Sequence, residues 1–184
     1  VRRYVDLNLS NAELAGFARS LGWDEALATK IISLKSEKDL NSLFSSKQEG
    51  MFSVESEDAD FLKRALKSKK RFLINPCLAK DFHRDRVLVR AASEAGVAFE
   101  IPVNGFLNSS FVQRAKVITQ LSSFLRMCIK FKAGYALTSR ATSKWDVKSP
   151  REVIAIVQLF GLNYEQAAYA ISEAPGKMLE WPAD

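Results

Sequence analysis

Side chains able to do chemistry are scarce in this chain of 184 residues, and the scarcity is selective: it has one histidine, His83, and two cysteines, Cys77 and Cys128. Serine and cysteine nucleophiles rely on a neighbouring imidazole to take their proton, so any such site would have to be built on His83. That residue sits in Asp81-Phe82-His83-Arg84-Asp85, a polar helix start where a surface or capping role accounts for it. The cysteines lie far apart and form no Cys-x-x-Cys pair. They give neither a disulfide framework nor a zinc finger and point to a reducing compartment. The phosphate loops G-x-G-x-x-G and G-x-x-x-x-G-K-[ST] are both absent.

Cations are abundant instead. Lys and Arg number 27 against 21 Asp and Glu, a formal charge of +6. Segment 63–90 carries ten basic and two acidic residues, and segment 101–151 has nine basic residues against Asp146 alone. The rest of the chain is net acidic, so the charge is polarised along the sequence, as a polyanionic partner would favour. Ser139-Arg140-Ala141-Thr142-Ser143-Lys144 and Lys148-Ser149-Pro150-Arg151 lead from a strand end into a helix start. Backbone N–H groups, hydroxyls and the cations Arg140, Lys144, Lys148 and Arg151 are expected to converge there, which is how phosphate is held. Lys69 and Lys70 in the turn Lys67-Ser68-Lys69-Lys70-Arg71 are either RNA contacts or part of a solvated loop.

On the longest helix, a period of about 100° per residue puts Ile118, Leu121, Leu125, Cys128 and Ile129 on the inward side. Lys116, Arg126 and Lys130 fall opposite them, with no acid on that helix. Arg114, in its first turn, falls near the apolar side, where an RNA phosphate, a bound anion or a buried ion pair would each account for it. Arg114 and Arg151 both stand at helix starts, where a cation opposes the macrodipole unless an anion is bound. With Arg140 and Lys144 they are expected to form one electropositive patch at the carboxyl ends of the strands. Arg90, in the first basic segment, joins the candidate RNA-binding set.

These groups need a scaffold, and the chain reads as an alternation. Strands are predicted at 4–9, 30–34, 51–54, 71–75, 97–103 and 135–139. Between them lie helices opened by Ser10 with Glu13, by Ser56 with Glu57 and Asp58, by Ser110 with Gln113, and by Ser149-Pro150-Arg151-Glu152. Shorter helices fall at 39–45, 84–95 and 163–171. Alternating strands and helices imply a mainly parallel sheet covered by helices, one α/β domain over 1–184. A full eightfold barrel takes about 250 residues, so the alternatives are a compact, incomplete (β/α) barrel with peripheral helices or an open doubly wound sheet. No apolar run approaches the roughly 18 residues of a spanning helix, which argues against a membrane partner. The start Val1-Arg2-Arg3-Tyr4 lacks the apolar stretch of a secretory leader, and a cytoplasmic location is expected. Trp145 and Trp181 are candidate exposed aromatics for a protein partner.

Two resemblances follow from these residues. Val5-Asp6-Leu7-Asn8-Leu9-Ser10 resembles the opening strand of the polymerase-and-histidinol-phosphatase superfamily of metal-dependent phosphoesterases, which carry an acid and then His-x-His there. This chain has Asn8 and Ser10 at the histidine positions, and neither replaces an imidazole well as a transition-metal ligand. A helix cap accounts for Ser10, and a carboxylate-only magnesium site is the alternative.

Leu137-Thr138-Ser139-Arg140-Ala141, Lys148-Ser149-Pro150-Arg151-Glu152, Leu159-Phe160-Gly161-Leu162, Gln166-Ala167-Ala168 and Glu173-Ala174-Pro175 look like the thirty-kilodalton protein subunit family of ribonuclease P in its archaeal form. That family reads T-S-x-A, then R-S-P-R-[DE], then a helix ending in L-G-[ML] and an Ala-rich helix. Lys148 stands where Arg is usual. The resemblance implies a TIM-like barrel related to the phosphoesterases but without their metal site. It implies an RNA-binding, non-catalytic subunit of the ribonucleoprotein endonuclease that removes the 5′ leader in tRNA processing. Its partners would be the ribonuclease P RNA, precursor tRNA, a small ferredoxin-like protein subunit and other ribonuclease P proteins. No cofactor is implied in this chain, and Mg²⁺ is expected on the RNA. The runner-up is a divergent metal-dependent phosphoesterase, and a sugar-phosphate-binding barrel is a third reading.

The purified chain is expected not to cleave precursor tRNA with Mg²⁺ or Mn²⁺. Turnover that disappears when Asp6 is changed would contradict this.

Overall fold

Short apolar runs bounded by polar turn residues become strands, and the helical periods between them become crossovers. The computed structural model describes residues 2–47 and 50–179. In it β1 (Val5–Asp6) pairs with β2 (Glu25–Ala26). One further sheet has the order β3 (Lys30–Ser33), β4 (Phe52–Glu55), β5 (Phe72–Asn75), β6 (Ala98–Pro102) and β7 (Tyr135–Thr138). The pairs β1–β2, β3–β4, β4–β5 and β5–β6 are parallel. Phe99 N–H donates to the Gly134 carbonyl and Val103 N–H to that of Thr138; the partners advance together, so β7 is parallel to β6 as well. The helices are α1 (Ala15–Ser20), α2 (Glu37–Ser45), α3 (Ala59–Ala65), α4 (Arg86–Ala95), α5 (Asn104–Leu107), α6 (Phe111–Phe131), α7 (Pro150–Gln158), α8 (Tyr164–Ala170) and α9 (Glu173–Leu179). The mainly parallel, incomplete α/β arrangement expected from the sequence is the one found. No helix among the described residues is long and apolar enough to cross a membrane.

The chain divides into two units, one of residues 1–29, 102–122 and 136–184, the other of 30–101 and 123–135. In the second, Phe52 stacks on Phe72 at 5.6 Å. Phe124 of α6 meets Phe82 and Phe99 edge-on at 5.3 and 4.9 Å, a geometry that suits the ring quadrupoles. Of the residues expected to face inward on α6, Leu121, Leu125 and Cys128 are buried, Ile118 is half-buried and Ile129 is exposed; Phe124 is buried with them. Burial pushes the Cys128 thiol up, out of the reactive range. Ser53 Oγ donates to the buried Glu100 carboxylate. Gly134 lies where two strands meet, and a Cβ there would stand 3.1 Å from that of Ala98, close enough that the neighbour would have to shift. α4 is capped by Asp85, whose side chain accepts the Leu88 N–H, and ends at Gly96 with φ of +67°.

In the first unit, both predicted starts late in the chain form as reciprocal capping boxes, Ser149 with Glu152 on α7 and Asn163 with Gln166 on α8. The Trp23 indole N–H donates to the Lys148 carbonyl at 2.8 Å, and Phe106 packs edge-on against Phe160 at 5.3 Å.

Two predicted caps are corrected. Asn11, not Ser10, caps the turn leading into α1: its side chain accepts the Glu13 N–H, while Ser10 Oγ donates to the Arg140 carbonyl at 3.1 Å. Asp58, not Ser56, caps α3, and Ser56 Oγ donates to the Leu34 carbonyl at 2.6 Å. In both cases the hydroxyl donates to a distant strand-end carbonyl. β2, α5 and α9 were not expected: two and four residues are too short to show a period, and α9 contains Pro175 and Gly176. His83 packs against Phe82, and its carbonyl accepts the Ser123 hydroxyl at 3.1 Å.

Phe124→Ala should cost about 3–5 kcal/mol, since the cavity it leaves faces two other rings. Phe111→Ala on the same helix, at a side chain 93% exposed, should cost about 0.5 kcal/mol or less. Urea denaturation of the two variants checks the contrast.

Candidate nucleic-acid interface

The candidate interface begins with two buried polar residues, one at the end of β1 and one just beyond it. Asp6 and Asn8 are fully buried, and such groups persist only when hydrogen-bonded. The Asp6 carboxylate accepts the N–H of Asn8 at 3.1 Å and that of Ser139 at 3.2 Å. The Asn8 carbonyl accepts the Arg140 N–H at 2.8 Å, and the Ser10 N–H reaches the Ala141 carbonyl at 3.0 Å. Asn8 Oδ1 also accepts the Thr29 N–H at 3.3 Å. Residues 6–10 therefore lie alongside the chain leaving β7. Arg140 has φ of +44°, a left-handed conformation that costs a non-glycine residue strain unless its surroundings fix it. Its carbonyl is fixed by Ser10 Oγ at 3.1 Å and Asn104 Nδ2 at 2.9 Å.

The loop that follows is held from within. Asp146 Oδ2 accepts four donors: the Thr142 N–H and hydroxyl at 3.2 and 2.8 Å, and the Ser143 N–H and hydroxyl at 3.0 and 2.9 Å. The hydroxyl of Thr142, then that of Ser143, holds the Asp146 carboxyl below the usual range. At the far end, the Ser149 N–H and hydroxyl hold Glu152 low in the same way. Lys148 Nζ donates to the Trp145 carbonyl at 2.8 Å. The amides and hydroxyls expected to hold a phosphate are thus engaged by the chain's own carboxylate. The sequence carried a signal for this: Asp146 is the one acid in its basic segment and follows Thr142 and Ser143 by four and three residues, the local chemistry of side chains that close turns.

The predicted cations differ in what they offer. Arg140 is buried, which removes it from the set presented to solvent and from the expected open patch. Arg114 donates to the carbonyls of Leu107 at 3.2 Å and Ser109 at 2.9 Å and lies 5.4 Å from the Phe106 ring. Neither a buried ion pair nor a vacant guanidinium describes it; it closes the end of α5. Lys144 and Arg151 are exposed, with Lys144 Nζ 5.7 Å from the Phe17 ring, and Lys148 is partly buried. Lys116, Arg126 and Lys130 are all exposed on α6, as their spacing required. In the second unit, exposed Arg90 and Lys130 share the Phe131 ring at 4.8 and 5.8 Å. Exposed Lys69 has φ of +54°, and Lys70 Nζ donates to the Ser46 carbonyl and to its hydroxyl. Trp145 is 87% exposed; Trp181 lies outside the described residues.

A model of the family described as RNase P subunit p30 matches residues 45–183. The chain belongs to this family. Ribonuclease P protein component 3 of Methanococcoides burtonii is 32% identical over 108 residues, covering 59% of this chain and 45% of that protein. Its counterpart from Methanosarcina acetivorans is 32% identical over 116 residues, 62% and 48% of the two chains. The chain thus spans about half the length of the curated relatives it matches. A chain in a cryo-EM structure of archaeal ribonuclease P with mature tRNA has the same fold, with a TM-score of 0.76 over 98% of this chain and 82% of that one at 18% identity.

In this p30-family member the loop after β7 depends on ionised carboxylates. Asp146 and Glu152 are both held low, so their contribution is complete above the ordinary carboxylate pKa, about 4, and is lost as pH falls through the folded values. Amide protection at Thr142 and Ser143, corrected for intrinsic exchange, should be highest near neutrality and fall in acid. Asp146→Ala should abolish that protection at neutral pH.

Proposed function

We propose that this chain acts as an RNA-binding protein subunit of ribonuclease P, supporting removal of the 5′ leader from precursor tRNA by the catalytic RNA. Membership of the RNase P subunit p30 family carries the reading. The surface supports it physically. Exposed Lys69, Arg90, Lys116, Arg126, Lys130, Lys144 and Arg151 form no ion pair with a carboxylate among the described residues, so their charge is open to phosphates. The chain supplies positioning and neutralisation, and Mg²⁺ acts on the RNA. The expected company is ribonuclease P RNA, precursor tRNA, a small ferredoxin-like subunit and other ribonuclease P proteins, in the cytoplasm. The phosphoesterase reading has less support, because Asp6, Asn8 and Ser10 are engaged in backbone bonds between β1 and the end of β7.

Binding to ribonuclease P RNA should weaken steeply with salt, log K falling against log salt by about 0.7–0.9 per neutralised phosphate. Lys144→Ala and Arg151→Ala should each lower that slope by about 1 and weaken leader removal in a reconstituted holoenzyme at limiting protein. Affinity that stays flat between low and moderate salt would overturn the proposal.

A further inference from the structure

Trp145 is a large aromatic left in solvent, 87% exposed, on a loop that is otherwise tightly bonded. The loop around it is fixed by Asp146, the next residue, which accepts the N–H groups and hydroxyls of Thr142 and Ser143. Its own carbonyl is held by Lys148 Nζ at 2.8 Å, and the Lys148 carbonyl is held by the Trp23 indole at 2.8 Å. An aromatic displayed on a rigid support loses little freedom on binding.

We infer that Trp145 is a stacking platform for an unpaired RNA base, with Lys144 and Lys148 beside it to receive that nucleotide's phosphate. The inference rests on the RNA-binding reading above and adds the class of nucleotide and the place it docks. Charge decides between a base and a protein side chain as the occupant. The ammonium of Lys148 sits against the tryptophan's own carbonyl, and exposed Lys144 precedes it in sequence. The one acid of the loop is turned inward onto Thr142 and Ser143. A protein hot spot is instead ringed by contacts that exclude water, and here Trp145 follows the exposed Lys144 in sequence. A base has a π face for the indole and a phosphate for the lysines, and such stacking is tolerant of sequence.

The test is a pair of titrations with the full chain, one against a labelled single-stranded oligoribonucleotide and one against a fully paired RNA duplex. The wild type is compared with Trp145→Ala and Trp145→Phe. Because the side chain is exposed, both variants should keep the wild-type melting temperature. Trp145→Ala should weaken single-strand binding about tenfold or more, leave duplex binding and its salt slope unchanged, and be largely rescued in Trp145→Phe. If the wild type binds RNA with the expected salt slope but Trp145→Ala binds the single strand equally well, the platform is overturned and the RNA-binding reading stands. Loss of a protein partner's binding in Trp145→Ala, with both RNA affinities intact, assigns the residue to protein and also overturns it. A wild type with no affinity for either RNA overturns the functional reading itself.

Discussion

A carboxylate sealed from water must find donors, and in the first unit that demand falls on Asp6. Its partners include the backbone N–H groups of Asn8 and Ser139, so the requirement acts directly on the course of the chain. Satisfying it sets β1 beside the end of β7, and the next rungs, Asn8 to Arg140 and Ser10 to Ala141, follow in order. The left-handed turn at Arg140 is stabilised by Ser10 and by Asn104, which both donate to its carbonyl. Removing the acceptor would leave buried donors unmatched, a larger loss than the net worth of the bonds themselves. The position of the loop that leaves β7 thus depends on a residue more than 130 positions earlier in the sequence.

The same segment resembles the opening strand of the metal-dependent phosphoesterases in layout, while its side chains do other work. The positions that would carry His-x-His in the phosphoesterases are Asn8 and Ser10. An amide offers a donor and an acceptor, a hydroxyl likewise, and both residues are used in pairing: Asn8 Oδ1 accepts the Thr29 N–H and Ser10 Oγ donates to the Arg140 carbonyl.

Local signals in the sequence were read well where the interaction itself is local. The Ser149–Glu152 box closes within three residues, and the apolar face of α6 repeats over 21 residues, long enough to establish a period. Ser10 and Ser56 were misread because a hydroxyl that could cap a helix can equally donate to a remote carbonyl, and only the fold decides between them. Arg114 and Arg140 show the same limit for charge. A guanidinium satisfied by the carbonyls of Leu107 and Ser109, or buried after a strand, has the same sequence context as one left open. The exposed cations of α6 were legible because helical geometry alone puts them opposite the core.

The inward-turned carboxylate of Asp146 has a kinetic meaning. A basic loop without an internal anion would sample many shapes under its own repulsion and would have to be ordered during each encounter with nucleic acid. Here the counter-charge is built in, and Lys144, Trp145 and Lys148 stand on a surface already set. On the RNA-binding function proposed above, capture would proceed at a rate governed by long-range attraction and orientation rather than by a slow rearrangement of the loop, and the lifetime of the complex would be the quantity that mutations on this surface alter.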